Sequence, residues 1–111
     1  MKIKTQDYNG IMVLELQGDL DGDFTAMLQN SITHILSTPK TGIVLNMGEV
    51  GFIDSEGLEQ LLWVRDFCNE NRCQLRLVGL DENCAKILEI TRLENDFDRY
   101  AELTEAVKSF A

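Results

Sequence analysis

The sequence predicts an α/β fold, a mixed β-sheet of four to five strands with about four helices. The 111 residues are 44% hydrophobic and 26% charged, as in one compact globular domain covering residues 1–111. The pair Asn9-Gly10 separates two apolar segments, which is typical of an antiparallel hairpin. Further along, short apolar runs alternate with stretches of helical periodicity, which indicates parallel strands joined by helices.

In the first half of the chain, each element follows from a local pattern. Both segments beside the hairpin turn are apolar, and a run of three apolar residues after Pro39 is typical of a buried parallel strand. Between them, apolar residues recur at helical spacing after an aspartate-rich loop, which predicts an amphipathic helix. The predicted elements are strands at 3–7 and 11–16, a loop at 18–23, a helix at 24–37 and a strand at 43–45.

The second half continues the alternation. A helix begins near Ser55, with apolar residues at helical spacing as far as Cys68. Residues 74–78 alternate in polarity, as in a strand, and Asp81 is placed to cap the helix that follows. The remaining predicted elements are a short strand at 97–100 and a closing helix between Leu103 and Phe110.

The charge and the cysteines limit the classes of function. Ten Lys and Arg residues against 19 Asp and Glu residues give a formal net charge of −9, which argues against nucleic acid and an anionic membrane surface as partners. The sequence contains no apolar run of the length that membrane insertion needs. The segment near Met1 also lacks the apolar stretch of a signal peptide. Its three cysteines lack the C-x-x-C spacing of zinc and redox sites, so we expect reduced thiols in a cytoplasmic protein.

The acidic segment 19–23 has three interpretations. As a calcium-binding loop it fails, because its glycine and closing glutamate positions hold Phe24 and Asn30. As a D-x-D phosphohydrolase motif it needs Mg²⁺ and a downstream lysine, for which the chain offers no convincing position. We therefore interpret the segment as a solvated turn and helix cap with an acidic surface for a partner, and we predict no metal and no cofactor.

The segment 54–57, Asp-Ser-Glu-Gly, is the second candidate site. A nucleophilic Ser55 would need an activating base, but the single histidine, His34, lies within the first predicted helix, and the G-x-S-x-G pattern is absent. We therefore predict no catalytic residue and no enzyme activity. Ser55 is placed to cap the following helix, yet its hydroxyl is also accessible to a kinase, and Gly57 would let another protein approach closely.

Three stretches of the sequence resemble the STAS family, the sulfate-transporter and anti-sigma-factor-antagonist domain. One is the glycine-acid turn at 18–21. The second runs from the central strand at 43–47 to the D-S-x-G-L motif at 54–58, and the third joins the later strand at 75–80 to the helix at 87–93. The resemblance covers nearly the whole chain as a single STAS domain.

The resemblance implies an α/β fold with a STAS-like mixed sheet covered mainly on one face by helices. In stand-alone members it implies an anti-sigma factor antagonist, which binds an anti-sigma factor that is itself a serine kinase and so releases a sigma factor. Phosphorylation of the motif serine, here Ser55, then ends binding, and a PP2C-type phosphatase is a further implied partner. The residues that we expect to contact the partner are Asp21, Asp54, Ser55, Glu56 and Gly57.

Two positions depart from the family pattern. Asn46 stands where aspartate is common, and Glu56 stands where a small residue is usual. A fixed charge beside Ser55 could weaken phosphorylation, select a different kinase or imitate the modified state. Two alternatives stay open: a cytoplasmic accessory subunit of an ABC-type membrane lipid-transport complex, with Ser55 as a contact residue, and a receiver-like domain phosphorylated on an aspartate such as Asp54.

Overall fold

The computed structural model describes residues 2–110, which form five strands and four helices in the predicted order. The elements are β1 (Lys2–Tyr8), β2 (Ile11–Gln17), α1 (Gly22–Ile35), β3 (Gly42–Glu49), α2 (Ser55–Glu70), β4 (Gln74–Val78), α3 (Glu82–Ile90), β5 (Asp98–Tyr100) and α4 (Leu103–Lys108). The strands make one sheet in the order β1-β2-β3-β4-β5. β1 pairs antiparallel with β2, and the other neighbouring pairs are parallel.

A two-residue turn connects β1 and β2. Asn9 and Gly10 have φ angles of 54° and 89°, the positive values that a type I′ turn requires at both central residues. The N–H of Gly10 donates to Oδ1 of Asp7 over 2.9 Å, and Tyr8 pairs directly with Ile11. The turn thus sets the register of the hairpin, as the sequence predicts.

Alternation along the strands divides the core into two layers. On one face of the sheet, Leu14, Leu45 and Leu77 are fully buried beneath α1, α2 and α3. On the other face, Val44 and Val78 pack against α4. The prediction of a mixed sheet with helices mainly on one face is therefore confirmed, with three helices on one side and one on the other.

α1 spans Gly22–Ile35, whereas the sequence pattern indicated 24–37. It begins earlier because Oδ1 of Asp21 caps the helix, accepting hydrogen bonds from two N–H groups of the first turn over 3.0 and 3.2 Å. It ends earlier because the next turn tightens, with the N–H of Ser37 bonded to the carbonyl of His34 over 3.2 Å. The spacing of apolar residues does not indicate either boundary, because it marks the buried face of the helix and not its caps.

The order of the strands excludes the receiver-like alternative. A receiver-type sheet is parallel, and its first strand lies inside the sheet in the order 2-1-3-4-5. Here β1 lies at the edge and is antiparallel to β2. The receiver-like hypothesis is therefore wrong.

α2 and α3 end in the same motif, with an arginine where glycine is usual. Arg72 and Arg92 follow the two helices with φ angles of 55° and 62°, in the left-handed region. After α3, the N–H of Leu93 donates to the carbonyl of Leu88 over 2.8 Å, and the N–H of Arg92 donates to the carbonyl of Glu89 over 3.0 Å. This pair of bonds defines a Schellman motif, in which a residue with a Cβ costs about 1 kcal/mol.

Replacing Arg92 by glycine should therefore stabilise the fold. We expect Arg92→Gly to raise the free energy of unfolding by about 0.5–1 kcal/mol, after allowing for the greater freedom of glycine in the unfolded chain. Arg92→Ala is the control, because it removes the same side chain but keeps the Cβ, so it should show no such gain. Urea unfolding measures the difference, and equal stability of the two variants would contradict the explanation.

Candidate functional site

Three strand-to-helix loops meet at one edge of the sheet. Because β2, β3 and β4 are parallel, their carboxyl ends and the amino ends of α1, α2 and α3 lie at the same edge. Asp21, Asp54 and Asp81 cap these helices, and their carboxylates accept hydrogen bonds of 2.8–3.2 Å from N–H groups of the first turns. We call this region the loop edge and define it as residues 17–24, 49–59 and 79–83.

The backbone of Leu20 joins two of these loops. Its N–H donates to the carbonyl of Phe52 over 2.9 Å, and its own carbonyl accepts from the N–H of Asp54 over 3.2 Å. Leu20 also forms a parallel bridge with Ile53, and both side chains are buried. The acidic turn around Leu20 is therefore held beside the beginning of α2.

Gly57 closes this junction from the inside. It is buried in the first turn of α2, where a Cβ would overlap the carbonyl oxygen of Leu20 and lie 3.1 Å from Cγ2 of Ile53. The prediction that Gly57 offers bare surface to a partner is thus wrong, because its close neighbour is a loop of the same chain. A glycine at this position lets α2 approach the backbone of Leu20.

Ser55 is the first residue of α2, and its side chain is exposed. It is not the helix cap that the sequence suggested. Asp54 takes that place, with Oδ1 accepting a 2.8 Å hydrogen bond from the N–H of Gly57. The Ser55 hydroxyl therefore stands at the surface of the loop edge, beside the amino-terminal N–H groups of α2.

The two departures from the family pattern are each accommodated locally. A Cβ on Gly22 would overlap the carboxylate of Glu56, so a glycine there leaves room for the longer side chain. The Glu56 carboxylate thus lies beside the amino end of α1, which favours a negative charge. Asn46 uses Oδ1 to accept a 3.1 Å hydrogen bond from the N–H of Gly48, a bond that an aspartate oxygen could equally accept.

The loop edge carries as much net charge as the whole chain. Its three segments contain nine of the 19 carboxylates and none of the ten Lys and Arg side chains. The ten carboxylates elsewhere equal the ten cations in number, so the rest of the chain is formally neutral. Within residues 2–110, the three ion pairs involve Arg65 and Arg76, which lie outside the loop edge. This concentration of charge depends on the topology, and the composition alone did not reveal it.

The three cysteines are free thiols in the interior. Burial raises the pKa of Cys84 to about 12, and a hydrogen bond to Asp81 adds to the effect. Cys68 and Cys73 meet where α2 ends, and the hydrogen bond between their thiols raises the pKa of Cys68. The C-x-x-C spacing does not detect this pair, because four residues separate Cys68 from Cys73 in the sequence. The end of α2 brings the two thiols together.

No three His, Cys, Asp or Glu side chains within residues 2–110 are grouped so that they could hold a metal ion. None of the helices described has the length and apolar character needed to cross a membrane.

Comparison with known proteins gives consistent matches. The family model of the STAS domain matches residues 2–106. An anti-sigma factor antagonist from Mycobacterium paratuberculosis is 19% identical with a TM-score of 0.86, covering 98% of this chain and 92% of that one. The Bacillus cell fate determinant SpoIIAA in its phosphorylated form is 18% identical with a TM-score of 0.76, covering 99% and 100%. A sulfate transporter family protein from Wolinella succinogenes is 18% identical with a TM-score of 0.83, covering 93% and 86%. At these identities the likeness to solved structures establishes a shared fold.

Gly57→Ala should destabilise the protein, although alanine favours helices. We expect the free energy of unfolding to fall by about 1–3 kcal/mol, because the new Cβ would push α2 away from Leu20. Gly51→Ala is the matched control, since a Cβ there meets only Oδ1 of Asp19, at 3.7 Å. Denaturant unfolding compares the two, and a Gly57→Ala variant as stable as the control would contradict the close packing of the junction.

We expect the three thiols to resist alkylation while the protein is folded. Cys68, Cys73 and Cys84 are 0%, 2% and 0% exposed, and iodoacetamide reacts with accessible thiolates. Intact-mass measurement at about pH 8 should find no adduct on the native protein and an adduct on every cysteine after unfolding in urea. An adduct on the native chain, located by peptide mapping, would show that the labelled thiol is accessible.

Proposed function

Because this chain belongs to the STAS domain family, we propose that it is a non-enzymatic anti-sigma factor antagonist that binds a serine-kinase anti-sigma factor and is switched off by phosphorylation of Ser55. The observation that carries the proposal is the position of Ser55, which is exposed at the beginning of α2 within the D-S-x-G-L motif. Similarity to an anti-sigma factor antagonist and to phosphorylated SpoIIAA supports it.

A phosphate on Ser55 would affect the fold and the complex differently. It adds about −1.5 to −2 charges at pH 7. Inside the protein, the N–H groups at the amino end of α2 favour an anion and offset repulsion from Asp54 and Glu56. In the complex, the acceptor serine must face the nucleotide phosphates of the kinase. A like-charge contact at about 4 Å costs about 1 kcal/mol in water and about 4 kcal/mol at an effective dielectric constant of 20. We therefore expect the complex to dissociate, while the fold, in which the N–H groups offset the repulsion, should persist.

The other candidate residues have separate roles in this proposal. Asp54 fixes the first turn of α2 through its cap and so positions Ser55 for the kinase. Asp21 and Glu56 line the contact surface from the two adjoining turns. Gly57 acts indirectly, by letting α2 close against the neighbouring loop. A PP2C-type phosphatase would restore binding by removing the phosphate, and we place the whole cycle in the cytoplasm.

A second candidate is an accessory subunit of an ABC-type membrane lipid-transport complex, with Ser55 as a contact residue. The similarity to a sulfate transporter family protein gives a reason to test it. Co-purification with an ABC-type ATPase, together with no response to the kinase, would favour this role over the first.

Incubation with ATP and the anti-sigma factor kinase tests the switch. We expect Ser55→Ala to gain no phosphate by intact mass, and Ser55→Asp to bind the kinase about tenfold or more weakly than the wild type, because it adds a negative charge opposite the nucleotide. Ser37→Ala is the matched control, because Ser37 is also exposed but follows the carboxyl end of α1, away from the loop edge. Phosphate on Ser55→Ala, or undiminished binding by Ser55→Asp, would overturn the proposed switch.

A further inference from the structure

Phe52 is an exposed aromatic side chain within the loop edge. Among residues 2–110, four large apolar side chains are exposed, and that of Phe52 is 48% exposed. The other three, Tyr8, Met27 and Ile90, lie outside the segments that define the loop edge. A protruding aromatic ring within a charged surface is typical of the residues that anchor protein interfaces.

The backbone beneath Phe52 is held from two sides. Its carbonyl accepts a 2.9 Å hydrogen bond from the N–H of Leu20, and the carbonyl of Gly51 accepts one of 2.8 Å from Nδ2 of Asn83. The next side chain, Ile53, is only 2% exposed and attaches the loop to the core. The ring is therefore presented on a fixed support, so binding through it requires little ordering of the loop.

The surroundings of this ring are acidic. Oδ1 of Asp19 lies 3.7 Å from the position that a Cβ would take on Gly51. The hydrogen bond from Asn83 brings the first turn of α3, with Asp81 and Glu82, to the same loop. No Lys or Arg residue belongs to the loop edge. A partner complementary to this surface has an apolar pocket bordered by Lys and Arg side chains.

We propose that Phe52 is the apolar anchor of the partner interface. Its ring enters an apolar pocket of the anti-sigma factor kinase, and basic side chains around that pocket face Asp19 and Glu82. The inference rests on the proposed function and adds the residue that holds the partner. Ser55 lies three residues further along the chain, where the nucleotide phosphates must approach, so the anchor and the phosphorylation site are neighbouring but separate parts of one contact.

The experiment measures binding of variants to the purified anti-sigma factor kinase, with ADP present so that no phosphate is transferred. Phe52→Ser removes the ring and should raise Kd at least about 30-fold, equivalent to about 2 kcal/mol. Phe52→Leu keeps an apolar side chain and should lose clearly less affinity. Ile90→Ser is the matched control, because Ile90 is 70% exposed at the end of α3, and its Kd should change less than about twofold.

Each outcome bears on a different part of the inference. If the wild type binds and Phe52→Ser binds equally tightly, the anchor is wrong while the proposed function stands. If the wild type does not bind the kinase, the proposed function fails and this inference fails with it. Thermal unfolding verifies that Phe52→Ser is folded, and if it is not, a Kd of Phe52→Leu equal to that of the wild type overturns the anchor.

The basic border of the pocket has its own test. Raising the ionic strength from about 0.05 to about 0.5 M should weaken binding of the wild type and of Phe52→Ser by similar factors, since both carry the same charges. Binding that does not respond to salt would contradict the basic border of the pocket. The apolar anchor is tested separately by the affinities of Phe52→Ser and Phe52→Leu.

Discussion

The backbone of Leu20 determines how the site is assembled. Parallel strands bring three helix amino ends to one edge of the sheet, but they leave the loops after β2 and β3 without a fixed relation to each other. A hydrogen bond from the N–H of Gly18 to the carbonyl of Glu49 and two between Leu20 and the segment 52–54 supply that relation, and Gly57 lets α2 close over the junction. The position of the exposed Ser55 hydroxyl depends on this junction, and the exposed ring of Phe52 is supported both by it and by the hydrogen bond from Asn83 to Gly51.

The same topology makes the concentration of negative charge possible. Each helix amino end carries roughly half a positive charge and several N–H groups without intrahelical partners. Asp21, Asp54 and Asp81 satisfy some of these groups, while Glu56 and Glu82 lie within first turns. The N–H groups at these helix ends therefore already stabilise several carboxylates. They would also favour a phosphate on Ser55.

The parts of the structure that could be predicted are those that local patterns control. Strand and helix order follow from apolar spacing, and the exposed serine at the beginning of α2 follows from the turn before it. Gly57 was misjudged because its neighbour, Leu20, is distant in sequence and only the crossover brings the two together. Asp54 and Ser55 are both good caps, so their sequence alone could not decide which one bonds to the helix. The exposure of Phe52 was missed because apolar residues next to a buried strand usually belong to the core.

The separation of charge has a consequence for how the molecule meets other proteins. A formally neutral body joined to an edge with nine negative charges carries its net charge off centre, so it has an electric dipole moment about its centre. Such a molecule turns towards a positively charged partner before touching it, and steering of this kind accelerates association by about 10–10³-fold. One phosphate changes the field of nine charges only modestly. If Ser55 is switched as proposed, the modified and unmodified forms should reach the kinase at comparable rates and differ in how long they remain bound.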